Sequence, residues 1–276
     1  MCRWLAYVGD PIFMDTVIIK PSASLLEQSL NSKMSFHKDG SILATNGDGF
    51  GIGWYDKQQE PGLFKTAEPA WANENLSEIC SQVKANIFMS HIRSANVGAI
   101  QRSNAHPFKY KNWLFQHNGS ISEFDKIRRE LLFNLEPELF NLIRGDTDSE
   151  SIFMLAIQFG LEENPKLAFE KTIKYLNDII ARNNTEPYFQ LSCAVSDGKS
   201  IYTVRYSTEK VQNSQYYSTN VRCLQDINQD YSSMPKNSVV IVSEPLDDFS
   251  DSWQEVPPSS FVTFSNNSAK IEKLEL

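Results

Sequence analysis

The sequence predicts one domain of mixed α and β structure, with strands and helices in layers. Three observations carry this. Apolar residues fall at every second position in several segments, most clearly Phe189, Leu191, Cys193 and Val195, the period of a strand. In other segments they return every third or fourth position, as in Phe169, Ile173, Leu176 and Ile180, the period of a helix. No shift of composition and no internal repeat divides the 276 residues, so the domain is taken as 1–276.

Arg3–Val8 is expected as a strand closed by a turn at Gly9-Asp10-Pro11, because Gly and Pro punctuate regular structure. Leu26, Leu30 and Met34 place a helix over Ser24–Met34. The stretch Asn46–Tyr55 carries glycines at 47, 49, 51 and 53. This alternation matches neither GxGxxG nor a GK[ST] phosphate loop, and suits a strand approached closely by another backbone. Ile87–Ser90 and Trp113–Gln116 read as strands that deliver His91–Asn96 and His117-Asn118-Gly119 at their ends.

Ser122–Leu132 is expected as a helix with Ser122 and Asp125 resembling a capping box. A second box, Thr147-Asp148-Ser149-Glu150, opens a helix to about Phe159 and sets Asp148 in its first turn, where the helix dipole favours an anion. Leu167–Ala181 is a third helix. Phe189–Val195, a turn at Asp197-Gly198 and Ile201–Tyr206 form a hairpin. Ser238–Ser243, Ser260–Phe264 and Lys270–Leu274 complete the strands, while Ser207–Gln215 and Gln225–Lys236 are polar loops.

Composition excludes several function classes. With 41% hydrophobic and 22% charged residues the chain is globular. A net charge of −8 lacks the basic face of a nucleic-acid binder. The longest apolar runs, such as Val239–Val242, fall far short of the ~20 residues of a membrane span. The N-terminus lacks a secretory pattern, which gives a cytoplasmic expectation. Cys2, Cys80, Cys193 and Cys223 form no CxxC pair, as expected of reduced thiols. His91, His106 and His117 lie 15 and 11 residues apart and match no metal-ligand spacing, so no metal and no cofactor are expected.

Cys2 is the residue with the most chemical potential. If Met1 is removed, Cys2 gains an α-amine beside its own thiol. A thiol of pKa ~8.5 can then pass its proton to an amine of pKa ~7.7–8.0, making nucleophile and base one residue. Taken singly, the other polar groups have bland readings: Arg93 a surface ion pair, Asn118-Gly119 a two-residue turn, Asp148 a helix-start charge.

Together the residues resemble the class II glutamine amidotransferases, whose glutaminase domain is an N-terminal nucleophile hydrolase. The resemblance rests on Met1-Cys2-Arg3-Trp4-Leu5, Asp48–Trp54, His91-Ile92-Arg93, Asn104-Ala105-His106-Pro107, His117-Asn118-Gly119 and Asp146–Glu150, in that order. Ser243-Glu244-Pro245-Leu246-Asp247, Trp253 and Glu255-Val256-Pro257-Pro258 resemble its stand-alone branch, which includes amidohydrolases of ergothioneine synthesis and glutathione breakdown. The resemblance implies an αββα sandwich. It also implies a small-molecule substrate, glutamine or a γ-glutamyl amide, cleaved through a thioester on Cys2. Asn118 and Gly119 would form the oxyanion hole, with a glycine there to let the chain turn sharply. Arg93 would clamp the substrate α-carboxylate bidentately, assisted by Asn96 where the family often has threonine, and Asp148 would accept the α-ammonium. His91, His106 and the Asn104 segment are expected to shape loops. The alternatives are an ammonia-donating subunit for a separate synthase, a non-catalytic γ-glutamyl-binding module and a metal-binding structural protein. Oligomeric state is left open.

Overall fold

The computed structural model describes residues 2–34, 45–58, 60–183, 188–210, 212–219, 234–247, 250–265 and 268–276. Strands β1 (Arg3–Phe13), β2 (Phe50–Tyr55), β3 (Gly62–Thr66), β4 (Lys84–Ile92), β9 (Tyr216–Ser218), β10 (Ser238–Val242) and β11 (Trp253–Glu255) form one sheet. Its order is β11-β9-β10-β1-β4-β2-β3. Strands β5 (Phe108–Tyr110), β6 (Trp113–Ile121), β7 (Phe189–Ser196), β8 (Ile201–Ser207), β12 (Ser260–Ser265) and β13 (Ser268–Lys273) form the second, ordered β13-β12-β8-β7-β6-β5. Every recorded strand pair is antiparallel.

The layering follows from how each strand divides its side chains. In β1, Leu5 and Tyr7 face helices α1 (Asp15–Ile18), α2 (Leu25–Leu30) and α3 (Glu74–Gln82), meeting Val17, Leu25, Leu76 and Cys80. Trp4, Ala6 and Val8 face the other sheet, where they meet Leu114, Ala194 and Val262. Both faces are buried, which is why β1 alternates only weakly in sequence. On the second sheet Phe115, Leu191 and Cys193 turn outward to α4 (Phe124–Phe133), α6 (Asp148–Gln158) and α7 (Pro165–Arg182). Phe115 and Phe153 stack there at 5.1 Å. With α5 (Pro137–Phe140), the result is the four-layer αββα sandwich.

Several boundaries differ from expectation. No turn closes β1 at Gly9-Asp10-Pro11: a register shift between Val8 and Ile12 absorbs these residues and pairing resumes at Ile12↔Ala85, since a bulge tolerates a proline without an N–H. Helix α2 stops at Leu30, because Ser32, Lys33 and Met34 donate instead to Glu244. Helix α4 begins at Phe124 with Glu123 at φ 51° as its N-cap residue and no side-chain cap from it, one residue later than a cap at Ser122 implies. At α6, Thr147 Oγ1 does accept the Glu150 N–H at 3.2 Å, but the Glu150 carboxylate turns to the Arg144 and Gly145 N–H groups. Cys223 and most of the polar stretch 225–236 lie outside the described residues. Among the described residues, no helix is long and apolar enough to cross a membrane.

Candidate active site

The site lies where the inner strands of the two sheets end against the N-terminus of α6. Cys2 precedes β1, and its thiol sits in the turn after β4: the Ser94 N–H donates to Sγ at 3.3 Å and Sγ donates to the Ser94 carbonyl at 3.4 Å. Burial raises the thiol pKa above its ordinary value, opposed by the Ser94 N–H and by the charges of Arg93 and Arg3.

The turn itself is tied down. Asp48 Oδ2 accepts the Ala95 N–H at 2.7 Å, and backbone bonds join Asp48 to Arg93 and Arg93 to Gly49. This accounts for Asp48-Gly49 ahead of the glycine-rich strand. The alternating glycines serve close approach: the His106 carbonyl oxygen lies 2.1 Å from where a Cβ on Gly51 would stand, so no larger residue fits.

Behind Cys2, the late motif holds the nucleophile's strand. Arg3 is 1% exposed; its Nε donates to Glu244 Oε2 at 2.7 Å and its NH1 to the Cys2 carbonyl at 2.8 Å. Ser243 accepts the Trp4 N–H at 2.9 Å, and Gln28 donates to the Glu244 and Pro245 carbonyls. The Ser-Glu-Pro segment is thus a clamp on residues 2–4.

All six residues singled out from sequence, Cys2, Arg93, Asn96, Asn118, Gly119 and Asp148, line one cavity. Asn96 stands exposed at its rim. The Arg93 guanidinium donates from NH1 to the Ala99 carbonyl at 2.8 Å and from NH2 to the carbonyls of Val97 and Gly98. Its open bidentate fork is therefore partly filled, leaving its remaining N–H groups and a charge that makes no ion pair among the described residues. Asn104 braces the same loop, donating to the Ala99 carbonyl and to Asp146.

His117, Asn118 and Gly119 lie inside β6 rather than at its end, paired with Cys193, Ser192 and Leu191. Gly119 makes no sharp turn. Its missing Cβ is explained by the Gln190 carbonyl oxygen and His117 Nε2, which lie 2.0 and 2.4 Å from the position a Cβ would take. The Asn118 carboxamide makes no hydrogen bond among the described residues and belongs to the cavity wall. Asp148, 3% exposed, accepts the Ile121 N–H on Oδ2 at 2.9 Å and the Ser149 N–H on Oδ1 at 2.7 Å.

Sequence reading missed Asn213, Tyr188 and Gln190, which also line the cavity. Asn213 Nδ2 donates to the Asn118 carbonyl at 3.1 Å, and the Asn213 carbonyl accepts from Arg205 Nε at 3.0 Å. Arg205 in turn bonds the Val256 carbonyl and pairs with Glu255 at 2.7 Å. The Glu255-Val256 motif is the signal that leads to Asn213, but only once the fold joins them.

The His91 and His106 rings lie with centroids 4.1 Å apart, tilted by 31°, and His106 is part of the cavity wall. Burial pushes the pKa of His91 down to about 3 and that of His106 well below the ordinary value. Among the described residues no group of three or more His, Cys, Asp or Glu is placed to hold a metal ion.

A family model described as glutamine amidotransferases class-II matches residues 24–274. The chain is 31% identical to the probable glutamine amidotransferase DUG3 of Saccharomyces cerevisiae, over 99% of this chain and 84% of that protein. It is 27% identical to the gamma-glutamyl-hercynylcysteine sulfoxide hydrolase of Mycolicibacterium smegmatis, over 44% of this chain and 52% of that one. A solved glutamine aminotransferase class-II domain protein from Silicibacter pomeroyi superposes with a TM-score of 0.73 at 29% identity, covering 100% of both chains. The glutamine phosphoribosylpyrophosphate amidotransferase of Bacillus subtilis shares the fold at a TM-score of 0.66 and 13% identity, over 99% of this chain and 49% of its own. The family model covers most of the chain and the yeast relative nearly all of it, so this chain is an enzyme belonging to the class II glutamine amidotransferases.

Proposed function

We propose that the chain is a cytoplasmic, single-domain hydrolase of γ-glutamyl amides whose nucleophile is Cys2 after removal of Met1. The observation that carries this reading is the shared cavity: a thiol, a guanidinium, a carboxylate and an unpartnered carboxamide converge on one space. Arg93 and Asp148 supply opposite charges for the two ends of an α-amino acid, with Asn96 at the rim.

In this mechanism the Cys2 thiol passes its proton to the α-amine while sulfur attacks the γ-carbonyl carbon. The oxyanion that forms is met by the Asn118 carboxamide and the Gly119 N–H. Collapse of the tetrahedral intermediate breaks the C–N bond, and the leaving amine takes the proton from the Cys2 ammonium. Water then attacks the thioester, its proton going to the same amine, and glutamate leaves as the thiol is restored.

The hydrolase named in the mycobacterial relative supports a γ-glutamyl compound as substrate. The test is glutamate release from glutamine and from a series of γ-glutamyl amides, by processed protein and by Cys2→Ala. Turnover lost in Cys2→Ala supports the reading, and no turnover of any member by processed protein contradicts it. A glutaminase rate that appears only on mixing with a synthase moves the reading to ammonia donation.

A further inference from the structure

His117 is fully buried beside the cavity, yet the mechanism above does not use it. Its Nε2 lies 3.0 Å from the Gln190 carbonyl and its Nδ1 lies 2.9 Å from Ser149 Oγ. Ser149 Oγ is also 3.2 Å from Asp148 Oδ1. We propose that His117 is a positioning residue for Asp148: by accepting the hydrogen bond of the Ser149 hydroxyl, it keeps that hydroxyl from donating to the carboxylate and leaves Asp148 free to receive a substrate ammonium group. This rests on the role given to Asp148 above.

The direction of the hydrogen bonds follows from donor and acceptor chemistry. A carbonyl only accepts, so Nε2 carries the ring proton and Nδ1 carries a lone pair in the neutral ring. The Ser149 hydroxyl has one proton to donate, and Nδ1 accepts that hydrogen bond. Asp148 Oδ1 then keeps the Ser149 N–H alone, and Oδ2 keeps the Ile121 N–H. If the ring were protonated, Nδ1–H would donate to Ser149 and the hydroxyl would turn onto Oδ1, adding a second donor and a nearby positive charge. Burial lowers the His117 pKa, opposed by the charge of Asp148 and the Gln190 carbonyl, which supports the neutral arrangement.

Three elements build this relay. Ser149 sits in the first turn of α6, Gln190 lies on β7, and the absent side chain of Gly119 makes room for the ring on β6. The His-Asn-Gly order thus places the carboxamide on the cavity face and the ring on the helix face, two residues from the glycine that admits it.

Two measurements test this. In protein labelled with ¹⁵N-histidine at neutral pH, His117 should show an unprotonated Nδ1 and a protonated Nε2; a protonated Nδ1 overturns the proposal without any variant. Inhibition constants of L-glutamate and of glutarate, which lacks the α-amine, are then compared. His117→Phe lets the Ser149 hydroxyl turn onto Asp148, so L-glutamate should bind about tenfold more weakly, on the order of one charge-assisted hydrogen bond. Glutarate should change less than about twofold, and adding Ser149→Ala should restore most of the loss. A purely structural role would weaken both ligands equally, without rescue, and would overturn the proposal. If the unaltered protein fails to distinguish the two ligands, the assignment of Asp148 falls and the relay's role falls with it.

Discussion

Replacing Glu244 by alanine isolates the clamp behind Cys2 from the chemistry in front of it. Arg3 is 1% exposed and the Glu244 side chain 6%, and their contact at 2.7 Å is the ion pair Arg3 makes among the described residues. Alanine would strand a buried guanidinium and also remove the acceptor for Ser32 Oγ and the N–H groups of Lys33 and Met34. Breaking one side of a buried pair costs about 3–5 kcal/mol, because the remaining charge is left desolvated. With a urea m-value of about 3 kcal/mol/M, the unfolding midpoint should fall by about 1 M or more. The assay is equilibrium urea unfolding followed by tryptophan fluorescence, with Arg3→Met/Glu244→Leu as partner variant. Replacing both charges by apolar groups of similar volume should recover at least half of the loss, since the stranded charge is gone. A loss under about 1 kcal/mol for Glu244→Ala would refute the claim that the late Ser-Glu-Pro motif stabilises the start of β1 through Arg3.

Gly119→Ala drives a Cβ against the Gln190 carbonyl and the His117 ring; a fall in activity of about 10²-fold is expected, as for loss of an oxyanion donor, with 1–3 kcal/mol lost by thermal unfolding. Asn213→Ala removes the bond to the Asn118 carbonyl; the expected result is roughly a fivefold fall in kcat with KM nearly unchanged, the worth of about one hydrogen bond in steady-state kinetics. His91, His106 and His117 are held neutral by burial. Their folded pKa values lie below the unfolded value of ~6.5, so the unfolded chain binds more protons as pH falls. Their contribution is complete above pH ~6.5 and is lost as pH falls below it; for His91 the loss is about 1.4 kcal/mol per pH unit, the window reaching down to about 3. Urea midpoints at pH 7 and pH 5 measure this, and equal midpoints contradict it.

Much of the architecture was legible because both periods are written plainly. The hairpin of β7 and β8 and helices α6 and α7 follow from alternating and helical spacing over long windows. β1 was legible as a strand but not in length, because a bulge is a tertiary compromise that Gly9-Asp10-Pro11 alone reads as a turn. Short strands such as β5, β9 and β11, each three residues long, carry too few positions for any period to show. In the site, six residues could be named because their motifs, bland singly, together resemble one family in order along the chain. Asn213 could not, since an asparagine in a polar loop has no local signal and its bond to Asn118 spans 95 positions. The need for a glycine at 119 reads from sequence as a sharp turn, whereas its real constraint is the neighbouring strand, a contact that spacing along one chain does not express.

The proposed chemistry requires Cys2 to be an N-terminal nucleophile facing a γ-glutamyl pocket. The decisive measurement is intact mass after incubation with a glutamine analogue that alkylates thiols, followed by peptide mapping. Loss of Met1 together with a single adduct on Cys2, suppressed by excess glutamate, is the expected result. Protein processed by its native host that retains Met1 and takes up no adduct would contradict it.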